Sequence, residues 1–369
     1  LKCITDGYKI ISTALHIGTG NGSPWNREIR SPGGGDNLFL SSIVAVDVKT
    51  GEYKWHYQTT PGETWDFTAV QQMILANIQI GGKERKVIMQ APKNGFFYVL
   101  DRETGELLKA DKYTYVNWAT HVDMKTGRPV ETPNSRYEKF NKLVSPSPIG
   151  GHNWQAMAYN PVTKLVYIPS REMSFPHGNR ADFKYDPLTW NTGSNPDETK
   201  KTIDDPKAHK MEGRLIAWDP VAGKEVWRSP GASIWDAGVL TTSDLVFQGN
   251  AQGKFSAFEA KTGKKLWETD LKSGIIAPPV TYLVDGVQYV TVAVGWGGVM
   301  GLWNKFTETI QPGRIFTFKI GGKAKMPALV QEEKKVKVNQ PVTATAAELA
   351  NGAQLFKVNC GSCHDLGQG

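Results

Sequence analysis

A pentapeptide of the form acidic-x-x-(Thr/Ala)-Gly recurs along this chain, and three copies place a Trp eight residues after the acid. They are Asp47-Val48-Lys49-Thr50-Gly51 with Trp55, Asp219-Pro220-Val221-Ala222-Gly223 with Trp227, and Glu259-Ala260-Lys261-Thr262-Gly263 with Trp267. Copies without Trp stand at Asp101–Gly105 and Asp123–Gly127. Short alternating apolar runs flank the strong copies, such as 42–46 and 253–258. The pattern predicts strand, tight turn, strand: the acid or Thr bonds the turn backbone, Gly takes the left-handed position, and Trp anchors the second strand against a neighbouring sheet. The copies at 219 and 259 lie about 40 residues apart, close to the length of one four-stranded propeller blade. Helical periodicity is scarce before residue 345. The fold class expected is therefore all-β, of β-propeller type, over residues 1–322. A linker rich in Lys, Pro and Val follows over 323–342, and a separate unit begins over 343–369.

That unit ends in Cys360-Gly361-Ser362-Cys363-His364, the C-x-x-C-H run that covalent attachment of a c-type haem requires. Cys360 and Cys363 would add to the porphyrin vinyl groups, and His364 is placed to ligate the iron. The alternative is a zinc half-site, but there is no second C-x-x-C and Cys3 is remote. Upstream, Ala347–Phe356 carries apolar or small residues at helical spacing and predicts the opening helix of a small α-helical cytochrome c domain. Five residues follow His364 and none is Met, so a distal ligand and haem pocket are expected outside this sequence.

Composition narrows the class. Three cysteines, two of them in the haem motif, leave no disulfide framework among the 369 residues. The net charge of +7 is spread along the chain. Its one local cluster, Lys334-Lys335-Val336-Lys337, has no interleaved aromatics, so it reads as a solvated linker and argues against a nucleic-acid partner. A mean hydropathy of -0.39 and the lack of a long apolar run exclude a transmembrane helix. Leu1 does not begin a signal peptide. Haem attachment of this kind is an export-side process, so the expected location is the periplasm, with the signal upstream.

Four further motifs share one order and spacing with a known family. They are Gly20-Asn21-Gly22-Ser23-Pro24-Trp25-Asn26, Pro61-Gly62-Glu63-Thr64-Trp65-Asp66-Phe67, Gln90-Ala91-Pro92-Lys93-Asn94-Gly95 and Gly151-His152-Asn153-Trp154. From about Gly18 onward the chain resembles the PQQ-dependent alcohol dehydrogenases, and the C-x-x-C-H run places it with the quinohaemoprotein branch. The resemblance implies an eight-bladed propeller, present here in part, joined to a cytochrome c domain. It also implies that the first blades, a vicinal disulfide, one calcium-binding Glu and several PQQ-carboxylate ligands lie upstream of Leu1. Where the family has a Trp beneath the cofactor, this chain has roughly Cys3 or Ile4.

The resemblance assigns roles that chemistry makes sensible. Asp66 matches the catalytic carboxylate that takes the hydroxyl proton of an alcohol; read alone, it could be a turn Asp. Asp36, in Gly33-Gly34-Gly35-Asp36-Asn37, is its rival, though the glycines explain it as a turn former. Asn21 matches a ligand of a divalent ion shared with Asp66, or is simply a turn Asn. Calcium is favoured because lanthanide-using relatives carry a second Asp where this chain has Thr68. Lys93, otherwise a surface lysine, would point inward and donate to quinone oxygens. Asn153 matches a cofactor-binding Asn, whereas His152 reads as structural. Trp296 and Gly297 match a stretch that approaches the PQQ ring, and Trp296 could equally be a packing Trp. His56 and Trp65 read as packing residues.

The implied activity is oxidation of a small alcohol to an aldehyde with PQQ and calcium. Electrons would pass to haem c and then to a cytochrome, copper protein or quinone. The competing classes are a non-catalytic propeller scaffold and an inactive fragment of such an enzyme. The Asn21, Asp66, Lys93 and Asn153 set and the haem motif argue against a scaffold, which needs none of them.

Overall fold

The computed structural model describes residues 13–133, 135–180, 182–187, 190–195, 211–295, 313–328 and 343–360. Strands β1 (Ala14–Gly18), β2 (Ser42–Asp47) and β3 (Tyr53–Gln58) form a three-stranded sheet, with the short helix α1 (Arg27–Arg30) between the first two. The second sheet is a four-stranded meander of β4 (Ile74–Ile80), β5 (Lys83–Gln90), β6 (Phe96–Asp101) and β7 (Leu107–Lys112). A ribbon of β8 (Ala119–Asp123) and β9 (Arg128–Glu131) follows. Next come β10 (Lys142–Val144), β11 (Ala158–Tyr159), β12 (Val166–Met173), β13 (Phe175–His177), β14 (Met211–Asp219) and β15 (Lys224–Pro230). Strands β11-β12-β14-β15 make the third sheet, and β10 pairs with β13 beside it. The fourth sheet is the meander β16 (Val239–Thr241), β17 (Leu245–Gly249), β18 (Lys254–Glu259) and β19 (Lys265–Asp270). The fifth is β20 (Val280–Val284), β21 (Val287–Val294) and β22 (Arg314–Phe318).

Each acidic-x-x-x-Gly motif forms the predicted turn. Asp47 Oδ1 accepts the amides of Lys49 and Thr50 at 2.9 and 3.2 Å, while Gly51, at φ 74°, donates back to Asp47 O. Asp101 and Asp219 repeat this pattern. In four of the five turns a β-bulge immediately precedes the acid, at Ala45/Val46, Val99/Leu100, Ala217/Trp218 and Ala257/Phe258. The extra residue adds local twist. A copy that the acidic pattern misses lies between β11 and β12. There Asn160 Oδ1 accepts from Val162 and Thr163, and Lys164 takes the left-handed position at φ 63°.

The tryptophans dock one sheet on the next. A Cβ at Gly105 would sit 2.7 Å from the Trp55 ring, and one at Gly263 would sit 2.6 Å from the Trp227 ring. Trp227 Nε1 also donates to Ala260 O at 3.0 Å. Only glycine lets the indole lie this close to the neighbouring turn. Trp267 also meets the next sheet, edge-on against Phe318 rather than against a turn glycine, and stays 41% exposed.

Four core clusters connect the sheets in chain order. Ile43 and Trp55 pack with Ile88 and Phe96, Val87 and Val99 with Ile168 and Ile216, Tyr167 and Trp227 with Val246 and Phe258, and Phe247 and Phe255 with Val290 and Val292. Sheets stacked face to face in succession are the arrangement of propeller blades. Strand β6 is apolar without alternation because both of its faces are covered. The predicted C-terminal helix forms as α2 (Ala346–Asn359), closed at its start by a Thr345/Glu348 capping box and at its end by the Cys360 amide on Phe356 O. Among the described residues no helix is long and apolar enough to cross a membrane.

His177 sits wholly buried against Tyr137, Phe175 and Trp25, and neither ring nitrogen has a hydrogen-bond partner among the described residues. Burial lowers its pKa from 6.5 to about 3. The folded state therefore binds this proton less readily than the unfolded chain, and stability is lost as pH falls below 6.5. The loss is about 2 kcal/mol at pH 5, from 1.5 pH steps at 1.36 kcal/mol each. His177→Phe should remove this contribution and flatten the acid limb of the stability curve, measured by denaturant unfolding at pH 7 and pH 5. An unchanged pH dependence would mean that His177 is not buried neutral.

Candidate active site

The segment from Pro61 to Phe67 links the first and second sheets, and side chains from distant elements grip its backbone. Arg136 donates to Gly62 O at 2.6 Å, Arg30 to Glu63 O at 2.6 Å, Tyr137 to Thr64 O at 2.5 Å and Lys93 to Asp66 O at 3.0 Å. Ser41 reaches Phe67 O. Beneath the loop, Trp65 is fully buried, stacked on Phe67 and beside Trp118, with its indole N–H on Ser135 O and the Arg136 guanidinium over its face. Trp65 is thus a packing residue, as expected. A segment with five of its carbonyls claimed, those of residues 62, 63, 64, 66 and 67, is pre-organised before any ligand arrives.

Asp66 stands in this loop at φ 67°, and its Oδ2 meets Lys93 Nζ at 2.9 Å. Lys93 comes from the loop between β5 and β6 and points inward, with only 11% of its side chain exposed. Burial raises the Asp66 pKa above its ordinary value, and the Lys93 ammonium opposes that rise. Two of the three ammonium hydrogens go to Asp66, which among the described residues leaves one for a ligand.

The Gly151–Asn153 loop lies on Lys93: Gly151 N–H donates to Lys93 O at 3.0 Å, and a Cβ on Gly150 would come within 2.5 Å of Lys93 Cγ. Asn153 holds this loop, donating to Ile149 O and accepting from the Trp154 amide. His152 is buried between Ala91 O and Gln155 O, in agreement with a structural role. The Asn21 loop joins the Asp66 segment through Ala69 N–H to Thr19 O at 3.0 Å. There a Cβ on Gly18 would lie 2.1 Å from Ala69 O, so the backbones can touch only at glycine. Asp66, Lys93 and the loops of Asn21 and Asn153 are thereby brought together. Asp36 is drawn away, in a bidentate pair with Arg128 at 2.7 Å that lowers its pKa. His56 packs with Phe39 and Tyr53. Trp296, Gly297, Cys363 and His364, with Cys3 and Ile4, lie outside the described residues, and Cys360 caps α2.

Sequence reasoning assigned nothing to Glu63, Arg30 or Tyr137. Glu63 is fully buried, and burial raises its pKa to about 7 against the pull of the Phe67 amide and Arg30. Its place in the Glu63-Thr64-Trp65-Asp66 motif was the only available signal. Arg30 and Tyr137 act across long sequence separations that no local pattern reveals.

The fold and this site define a PQQ-type β-propeller, and comparison with known proteins agrees. The family described as "Glucose/ethanol/alcohol dehydrogenase, beta-propeller domain" matches residues 20–117 and 229–290. The chain is 48% identical to quinohemoprotein alcohol dehydrogenase ADH IIB of Pseudomonas putida, over 96% of this chain and 51% of that protein. It superposes on the crystal structure of quinohemoprotein alcohol dehydrogenase from Comamonas testosteroni with a TM-score of 0.82 and 45% identity, covering 95% of this chain and 52% of the other. A europium-containing methanol dehydrogenase gives a TM-score of 0.72 at 34% identity, covering 80% and 51% respectively. The chain belongs to the PQQ-dependent quinohaemoprotein alcohol dehydrogenases. It spans about half the length of the curated relatives it matches.

Proposed function

We propose that the protein of which these residues form part oxidises small alcohols to aldehydes with PQQ and calcium. Electrons would pass to haem c held by Cys360, Cys363 and His364, and on to a cytochrome, copper protein or quinone. The part-buried Asp66–Lys93 pair carries this reading. A desolvated carboxylate has a raised proton affinity, which suits it to take the hydroxyl proton of an alcohol. Lys93 holds that carboxylate in place and has one N–H left to donate to a quinone oxygen, where negative charge accumulates on reduction. PQQ, when bound, supplies the two-electron acceptor.

The donor set suits a hard cation. Lys93 engages only Oδ2 of Asp66, and Asn21 offers an amide oxygen from the adjoining loop. Calcium, when bound, supplies Lewis-acid polarisation. Asn153 supports the cofactor side by fixing the loop against Lys93, and Trp296 and Gly297 would approach the PQQ ring. The haem motif supports a periplasmic location and a cytochrome c domain that begins at α2. The propeller would be eight-bladed in the whole protein, with residues 1–322 in the propeller, 323–342 as linker and 343–369 in the haem unit.

The direct test is dye-linked alcohol oxidation by the full-length protein reconstituted with PQQ and calcium. Absence of turnover in protein that binds PQQ would refute the assignment and favour a scaffold. Metal-stripped protein should regain activity with calcium. Thr68 is buried, its hydroxyl accepting from Gln71 Nε2 at 3.0 Å. Thr68→Asp would place a second carboxylate there and should shift metal preference toward a lanthanide, because added ligand charge suits a trivalent ion. Strong lanthanide activation of the unsubstituted protein would overturn the calcium assignment.

A further inference from the structure

Glu63 lies beneath the Asp66 segment, and one of its oxygens performs two tasks. Oε1 accepts the Trp65 amide at 2.6 Å and the Phe67 amide at 2.8 Å. These are the residues on either side of Asp66. Oε2 is buried with no partner among the described residues, and the whole residue is shielded from solvent. Asp66 itself holds φ 67°, a conformation that a residue with a Cβ disfavours. Something must therefore hold the backbone there, and the carbonyl contacts of the segment leave its N–H groups at 65 and 67 to Glu63.

We propose that Glu63 is the positioning residue of this site: its carboxyl staples the peptide amides flanking Asp66 and fixes the left-handed turn that delivers the Asp66 carboxylate to Lys93. The charged and titratable groups around Glu63 are Asp66, Arg30 and Tyr137. None of them donates a hydrogen bond to its carboxyl, so the two amides dictate its place. The role needs an acceptor oxygen at the right reach and no charge. Glutamine supplies that oxygen, aspartate falls one methylene short of spanning both amides, and alanine supplies nothing.

The structural arm of the inference is independent of the function proposed above; its kinetic arm rests on Asp66 being the base. The experiment compares Glu63→Gln, Glu63→Asp and Glu63→Ala in the full-length, cofactor-loaded protein, with Asp66→Asn as reference. Crystal structures of Glu63→Gln should keep Asp66 at positive φ and paired with Lys93, and those of Glu63→Ala or Glu63→Asp should lose both. In turnover, Glu63→Ala should lower kcat about a hundredfold, as expected for a base displaced by about 1 Å. KM should stay within about threefold, and Glu63→Gln should remain near wild type. If Glu63→Ala does not fold, Glu63→Asp and Glu63→Gln still decide the matter. Retention of the Asp66 turn in Glu63→Asp, or its loss in Glu63→Gln, would overturn the proposal. Wild-type turnover by Asp66→Asn would instead move the base elsewhere, and the crystallographic arm would judge Glu63 alone.

Discussion

Asp66→Asn in the full-length, cofactor-loaded protein should lower kcat by about two to four orders of magnitude, the range for loss of a general base. The fold and PQQ binding should be preserved. The amide has the shape of the carboxylate and keeps an oxygen that can face Lys93 Nζ, 2.9 Å away in the native pair. What it lacks is proton affinity. Single-turnover measurement of the chemical step is the decisive readout, because it separates proton removal from binding. A variant within about threefold of the native rate would place the base elsewhere. Asp36 would make a poor replacement, since its bidentate pair with Arg128 holds it ionised and occupies both oxygens.

Lys93→Met should lower kcat by about two to three orders of magnitude, the magnitude for removal of one preorganised donor. It should also move the pH profile. Burial raises the Asp66 pKa and Lys93 is the group that restrains it. Without the ammonium the pKa climbs further. A base works only when ionised, so activity should be lost at a higher pH as conditions become more acidic. The profile of kcat/KM against pH reports this for the free protein. An acid limb at the native position would show that Lys93 does not govern the base. Lys93→Arg keeps the charge but not the compact ammonium, and should restore the limb better than it restores the rate.

Much of this architecture can be read from the chain because it is local. The Asp47, Asp101 and Asp219 turns form from residues within five positions of one another, so spacing alone reveals them. Asn160 and Lys164 build the same turn from different residue types, and a pattern keyed to acid and glycine passes them by. Asp66, Lys93 and the loops of Asn21 and Asn153 were legible through resemblance. Nothing in their immediate neighbours shows that Asp66 and Lys93, 27 positions apart, share a hydrogen bond. The grip of Arg30, Arg136 and Tyr137 on the Asp66 segment was not legible at all, since it depends on chain crossings of up to 74 positions. Trp267 shows the converse. It carries the full motif, yet its surroundings were set by what the next sheet presents.

The docking of Trp55 under Gly105 and of Trp227 under Gly263 makes each sheet's principal partner the sheet after it. Stability in such a stack is close to a sum of nearest-neighbour couplings. The indole contacts lie at the turn ends of the strands, whereas Asp66, Lys93 and Asn153 sit in the connecting loops. The joints are therefore separate from the Lys93 and Asn153 side chains, whereas the Asp66 loop is tied in, because its Trp65 and Phe67 share one core cluster with Trp55. The same separation makes the glycines at 105 and 263 intolerant positions, although neither is near the chemistry. A single methyl group there would lodge against an indole and loosen one joint while its neighbours held.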